Sequence, residues 1–79
     1  MDIREVFARN LRKYRQAKGL SQETLAHEAG IDRTYISALE RSQYSASITT
    51  VDKLAAILGL EAADLLRRPA KSVRSSARG

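Results

Sequence analysis

The chain contains no cysteine and only one histidine, His27, among its 79 residues. Without cysteine it can form neither a disulfide framework nor a cysteine-based zinc site, and one histidine does not make a metal site by itself. No apolar run approaches the roughly 18–20 residues that a membrane-spanning helix needs. The N-terminus, MDIREVF, is charged from its second residue, unlike a signal peptide. We therefore expect a cytoplasmic protein with no membrane, metal, cofactor or small-molecule partner.

Groups that enzymes use for catalysis are also missing. There is no second histidine, no pair of carboxylates at an evident cleft and no glycine-rich phosphate loop. Serine residues are plentiful, but no neighbouring base is available to activate them. The sequence predicts a binding protein and not an enzyme.

The net charge of +5 would favour a nucleic-acid partner, but its position in the chain matters more than its size. Residues 1–66 hold nine basic and nine acidic side chains, so this part of the chain carries no net charge. The surplus lies in the last thirteen residues, at Arg67, Arg68, Lys71, Arg74 and Arg78. Charge alone does not identify a DNA-binding domain here.

Apolar spacing and capping residues predict five helices and no strand. Asp2 and Glu5 have the spacing of a capping box before a first helix that Gly19 ends. Ser47 can cap a fourth helix that Gly59 closes, and a short fifth helix covers about 62–67. The positions expected to face inward are Ile3, Val6, Phe7, Leu11 and Tyr14 in the first helix and Ile48, Val51, Leu54, Ala55 and Leu58 in the fourth.

Residues 21–41 read as two short helices joined by a tight turn, the helix-turn-helix arrangement. Ser21 and Asp32 are good N-caps for the two helices, and Gly30 ends the first of them. The second helix divides by face. Its inner positions are Ile36, Leu39 and Glu40, and its outer positions are Arg33, Thr34, Ser37, Ala38 and Arg41.

Several features of residues 21–41 match a known pattern, namely a polar cap at position 21, Gln22, Leu25-Ala26, Gly30, Ile36-Ser37 and Glu40-Arg41. This pattern resembles the lambda repressor and Cro-like (Xre) helix-turn-helix family, and the resemblance runs from about Asn10 to Leu66. The run IDRTYISALER is most similar to the controller proteins of restriction–modification operons. The resemblance implies a compact, all-α, five-helix lambda-repressor-like domain, with the helix-turn-helix at helices 2 and 3. It also implies a homodimeric transcription regulator that binds double-stranded operator DNA.

The resemblance assigns base contacts to the outer face of the third helix. Arg33 lies in the first turn, where side chains reach base edges, and its guanidinium can bond to O6 and N7 of guanine. Thr34 can offer a hydroxyl to a base and a methyl to thymine. Ser37 can donate to a base or a phosphate, and Ala38 is small enough for close approach to a thymine methyl.

Other residues are expected at the DNA backbone. Gln22 would direct its amide and the helix N-terminus toward a phosphate. Tyr35 is open between a phosphate contact and packing. Arg41, Gln43 and Tyr44 lie where family members grip the backbone, although controller-like proteins tend to place a basic side chain in this loop. Arg15 and Glu40, which fall on inward positions, are implied to pair with each other and to tie helix 1 to helix 3.

A dimer surface is predicted from apolar residues that the core does not account for. Discrimination among DNA sites normally needs two copies of such a motif. The remaining apolar residues, which would form a two-fold interface, are Ile57, Leu60, Leu65 and Leu66.

We expect one domain over residues 1–68 and a basic, disordered tail over 69–79. Whether the tail contacts DNA phosphates or is only solvated is left open. Two alternatives to a controller protein also stay open: an antitoxin of the helix-turn-helix type, which needs a toxin partner, and a protein-interaction module that has lost DNA binding. An acidic or apolar outer face on the third helix would favour the module.

Overall fold

The computed structural model describes residues 1–69, which form five helices and no strand. They are α1 (Ile3–Ala17), α2 (Gln22–Ala29), α3 (Arg33–Glu40), α4 (Ile48–Leu58) and α5 (Ala62–Leu65). The predicted all-α fold is confirmed. In this part of the chain no helix is long and apolar enough to cross a membrane. The predicted disorder of the tail over 69–79, and the open question whether it contacts DNA, fall almost entirely on residues 70–79, which lie outside the described residues.

Side-chain caps start the first four helices where the sequence predicts them. Asp2, Ser21, Asp32 and Ser47 each accept a hydrogen bond from a backbone N–H of the first turn. The backbone N–H and the guanidinium of Arg4 donate to Asp2, and they lower the pKa of its carboxyl. These bonds satisfy backbone donors that no helical carbonyl can reach.

The turn between α2 and α3 depends on Gly30. Its φ of +68° lies in the left-handed region, which glycine adopts without a steric penalty. The Ile31 N–H then donates to the Ala26 carbonyl at 2.9 Å, which closes the end of α2 in a Schellman motif. The chain reverses within three residues, and α3 can pack directly against α2.

All five helices contribute to one core. α2 packs on α3 and α4, α1 packs on α3 and α5, and α4 packs on α5. Leu11, Leu25, Ile36, Leu39 and Leu54 are fully buried at its centre. Within this core the third helix itself packs on α1 and α2.

Two apolar residues that were predicted to face inward lie on the surface. Ile48 is 87% exposed and Ile3 is 47% exposed. Each is the first residue of its helix, so it precedes the turn that first reaches the core. The periodicity of the two helices was right, but it does not extend to their first residues.

Leu65, in contrast, is more deeply buried than predicted. It was assigned to a dimer surface, but it is fully buried in the core of the single chain, so that prediction was wrong. The Asn10 side chain explains the placement, because its Nδ2 donates to the carbonyls of Leu65 at 3.0 Å and of Arg67 at 2.8 Å. These bonds hold the end of α5 against α1.

Arg15 of α1 and Glu40 of α3 form a bidentate ion pair. Arg15 Nε lies 2.6 Å from Glu40 Oε2, and Nη2 lies 3.0 Å from Oε1. The side chains are only 11% and 3% exposed, so water screens the pair weakly. Arg15 Nη1 also donates to the Leu20 carbonyl at 2.8 Å. The pair joins α1, the α1–α2 connection and the end of α3.

We predict that Glu40→Ala destabilises the domain far more than Arg33→Ala. Removing one partner of a buried ion pair leaves an uncompensated charge and costs about 3–5 kcal/mol. Arg33 is exposed, and truncation at such a surface position stays within about 0.5 kcal/mol. Thermal melts followed by circular dichroism measure both variants. A larger loss for Arg33→Ala would contradict the assignment of Glu40.

Candidate nucleic-acid interface

The third helix presents two different faces. Its inner residues Ile36, Leu39 and Glu40 are buried, and they hold the helix against α1 and α2. Arg33 and Thr34, at the first two positions of the helix, are exposed. A long basic side chain and a hydroxyl therefore project from the end of a helix whose opposite side is fixed. This arrangement allows donors to reach the edges of bases in a DNA groove.

Farther along α3 the outer face is less open than predicted. Ser37 is half-buried, and Ala38 is only 4% exposed. The chain turns back after the helix, and the Gln43 N–H donates to the Ala38 carbonyl at 2.9 Å. The prediction that Ala38 faces outward was wrong, and the thymine-methyl contact assigned to it is withdrawn.

Tyr35 and Tyr44 link α3 to the loop that follows it. Their ring centroids lie 6.1 Å apart with an interplanar angle of 39°, within the range of favourable aromatic pairs. Tyr35 is half-buried and packs against the core, whereas Tyr44 is 58% exposed. The packing role left open for Tyr35 is present, and its ring supports the loop.

The loop forms one side of an open recess beside α3. Arg41, Gln43 and Tyr44 are exposed, and the full lining is Asp32, Thr34, Tyr35, Ala38, Arg41, Gln43 and Tyr44. The recess thus brings Thr34, a predicted base contact, together with the predicted backbone-contacting residues Tyr35, Arg41, Gln43 and Tyr44, whereas Arg33 and Ser37 lie outside its lining.

Gln22 lies at the first position of α2, directly after the Ser21 cap. Its side chain is half-buried, and its Nε2 donates to Glu40 Oε1 at 3.0 Å. Gln22, which was predicted to contact a DNA phosphate, is therefore hydrogen-bonded to the buried ion pair. Sequence reasoning missed this bond, because its partners are 18 residues apart and belong to different helices. No local pattern signals such a contact.

The charge of this surface is modest. Arg33 and Arg41 are basic, but the acidic Asp32 directly precedes Arg33 in the chain. The Asp32 carboxylate accepts from the Thr34 N–H at 3.3 Å, so the acidic group is used as a helix cap. The shape of the surface and its donors, more than its net charge, make it suitable for DNA.

Three of the predicted dimer residues remain at the surface. Leu66 is 40% exposed, and Ile57 and Leu60 are half-buried against the edge of the core. Ile57 belongs to α4, Leu60 and Leu66 flank α5, and these two helices pack together. The structure also shows an apolar groove that the sequence did not predict, lined by Ile3, Arg4, Phe7, Tyr44, Ser45, Ala46, Val51 and Leu66.

Comparison with known proteins identifies a family model and several solved structures. The model for helix-turn-helix proteins matches residues 11–65. The hypothetical transcription factor NHTF from Neisseria has 43% sequence identity and a TM-score of 0.85, covering 94% of this chain and 85% of that protein.

Two further structures have names that bear on function. The restriction–modification controller protein C.AhdI from Aeromonas hydrophila has 45% identity and a TM-score of 0.75, over 78% of this chain and 94% of that one. SinR, a master regulator for biofilm formation solved in complex with DNA, has 34% identity and a TM-score of 0.73, over 77% and 98% of the two chains.

We predict that Ser42→Gly stabilises the domain by about 0.5–1 kcal/mol. Ser42 has a φ of +62°, which costs an L-residue roughly 1–2 kcal/mol, partly offset by the greater entropy that glycine loses on folding. Urea unfolding measures the change, and Ser45→Gly in the same loop is the control, because Ser45 has no positive φ. Equal effects of the two substitutions would show that Ser42 is not strained.

Proposed function

The chain belongs to the helix-turn-helix family, as a lambda repressor and Cro-like (Xre) transcriptional regulator related to restriction–modification controller proteins, and we propose from this premise how it acts. It binds double-stranded operator DNA in a sequence-specific manner, as a homodimer on a pseudo-palindromic site, and serves as a controller protein. The observation that carries the proposal is the division of α3 into a buried face and an exposed, donor-rich N-terminal turn.

Sequence is read by the exposed first turn of α3 in the major groove. The Arg33 guanidinium donates two parallel hydrogen bonds to O6 and N7 of a guanine. Thr34 contributes its hydroxyl and methyl to a neighbouring base pair, and Ser37, one turn farther along, donates to a base or a phosphate. Because the opposite face of α3 is buried, these side chains enter the groove in a fixed register.

Contacts with the DNA backbone set that register. Gln22 and the N-terminus of α2 donate to a phosphate on one side of the groove. Arg41, Gln43 and Tyr44 reach the backbone on the other side, supported by the packing of Tyr44 on Tyr35. Such contacts position a regulator on the duplex without carrying sequence information themselves.

The exposed face of α3 also weighs against a protein-interaction module. Such a module would favour an acidic or apolar outer surface. Arg33, Thr34 and Arg41 are exposed and polar or basic. DNA phosphates and base edges fit these groups better than an apolar protein partner does.

Two copies are needed for selectivity, because one helix-turn-helix reads only a few base pairs. We place the two-fold interface at Ile57, Leu60 and Leu66, the apolar residues of the α4–α5 region that remain at the surface. Two-fold symmetry sets the recognition helices about 34 Å apart, one turn of DNA. The operator then has matching half-sites.

Selection of bound sequences from random duplexes tests direct readout by Arg33. We expect two related half-sites for the wild-type protein. Arg33→Ala should lose preference at one base per half-site, at a cost of about 1–3 kcal/mol, while the other positions keep theirs.

Arg9→Ala is the matched control, because Arg9 is an exposed arginine on α1 outside the proposed interface. It removes the same charge and should leave the selected sequence unchanged. Uniform weakening by Arg33→Ala at all positions would make Arg33 a phosphate contact. Absence of any enriched sequence would reject sequence-specific binding.

Sedimentation equilibrium tests the dimer. At micromolar concentration the wild-type mass should be about twice the 8.8 kDa of one chain. Leu66→Asp should shift the protein toward monomer, because it buries an unpaired charge in the interface.

Ile48→Asp provides the comparison, since Ile48 is more exposed than Leu66 but lies outside the proposed surface. It should leave association unchanged. A monomeric wild-type protein would remove the dimer from the proposal, and dissociation by Ile48→Asp alone would move the interface to another face.

A further inference from the structure

Glu40 receives more hydrogen bonds than the ion pair alone supplies. Oε2 accepts from Arg15 Nε at 2.6 Å, and Oε1 accepts both from Arg15 Nη2 and from Gln22 Nε2, each at 3.0 Å. The carboxylate is 3% exposed. One buried anion therefore holds a side chain of α1 and a side chain at the first position of α2.

The bond between Gln22 Nε2 and Glu40 fixes the orientation of the Gln22 amide. An ionised carboxylate only accepts hydrogen bonds, so the amide nitrogen, and not the carbonyl oxygen, faces Glu40. The nitrogen carries two N–H groups, and the bond to Glu40 uses one of them. The second N–H remains for a ligand at the start of α2, where the half-buried side chain reaches the surface.

The bond also restricts motion. A free glutamine side chain loses rotamer freedom when it is ordered on a ligand. In this protein the rotamer is already restrained by its acceptor, Glu40, which Arg15 holds in place while its guanidinium also donates to the Leu20 carbonyl. The loss of freedom therefore accompanies folding and does not oppose DNA binding.

We propose that Glu40, held by Arg15, is a positioning residue for DNA binding: it presents the Gln22 amide as a preoriented phosphate donor without contacting DNA itself. The inference rests on the proposed function, because it assigns the phosphate contact to Gln22. It adds a route by which the buried ion pair sets DNA affinity as well as stability.

A first experiment needs no substitution and no DNA. Side-chain ¹⁵N relaxation of the free wild-type protein compares the amide of Gln22 with those of Gln16 and Gln43, which are exposed. We expect the side-chain order parameter of Gln22 to lie well above those of the two controls, which should fall below about 0.6. A Gln22 amide as mobile as the controls would overturn the proposal.

A double-mutant cycle on DNA affinity provides the second experiment. The duplex is the one recovered by selection with the wild-type protein, and the variants are Gln22→Ala, Glu40→Gln and their combination. Affinities are measured at a temperature where circular dichroism shows each variant folded. We expect each single substitution to weaken binding about tenfold, which is about 1.4 kcal/mol, and the double variant to bind within twofold of Gln22→Ala.

A purely structural Glu40 gives a different result. Its substitution would then weaken binding equally with glutamine or alanine at position 22, and the double variant would lose about a hundredfold, the product of independent effects. That outcome would reject the positioning role of Glu40 without contradicting the proposed DNA binding. No binding by the wild-type protein would instead reject the proposed function. If Glu40→Gln does not fold, the relaxation experiment decides the proposal.

Discussion

The buried pair of Arg15 and Glu40 is the interaction on which the arrangement of this domain depends. Two charges removed from water are tolerated only when they satisfy each other in good geometry and their remaining donors find acceptors. Here Arg15 donates two bonds to Glu40 and a third to the Leu20 carbonyl. The pair fixes the end of α3 against α1, while Ile36 and Leu39 anchor the rest of that helix in the core. A short recognition helix of eight residues would not hold this position by its own helical propensity.

The anchoring of α3 through its buried face explains how a domain with little net charge can be suited to DNA. Arg33 and Thr34 project from the exposed N-terminal turn, and Gln22 lies at the start of the neighbouring helix, bonded to the same buried carboxylate. The residues predicted to read bases and to bind a phosphate are thereby held by the same buried carboxylate, Glu40. Accuracy of placement, which hydrogen bonding to bases requires, substitutes here for a strong electrostatic surface.

Local chemistry made much of the fold predictable, and long-range packing limited the rest. The caps at Ser21 and Asp32 and the glycine at position 30 act within one helical turn, so neighbouring residues reveal them. Leu65 and Ala38 were wrongly predicted to be exposed, because segments that are not part of their own helices bury them. The bond from Asn10 draws the end of α5 onto α1, and the loop after α3 folds back on Ala38. The roles of the DNA-binding residues and the dimer surface stay predictions.

The sequence by itself determined the number of helices, their approximate starts and ends, and the buried residues that anchor α3, because capping and periodicity are set by residues a few positions apart. Only the tertiary structure decided that Leu65 completes the core, that Tyr44 rests on Tyr35, and that Gln22 bonds to Glu40. These contacts join residues from separate segments, and their geometry follows from how the helices pack. The sequence predicted which helix would face DNA, and the packing decided how firmly the neighbouring helices hold that helix in place.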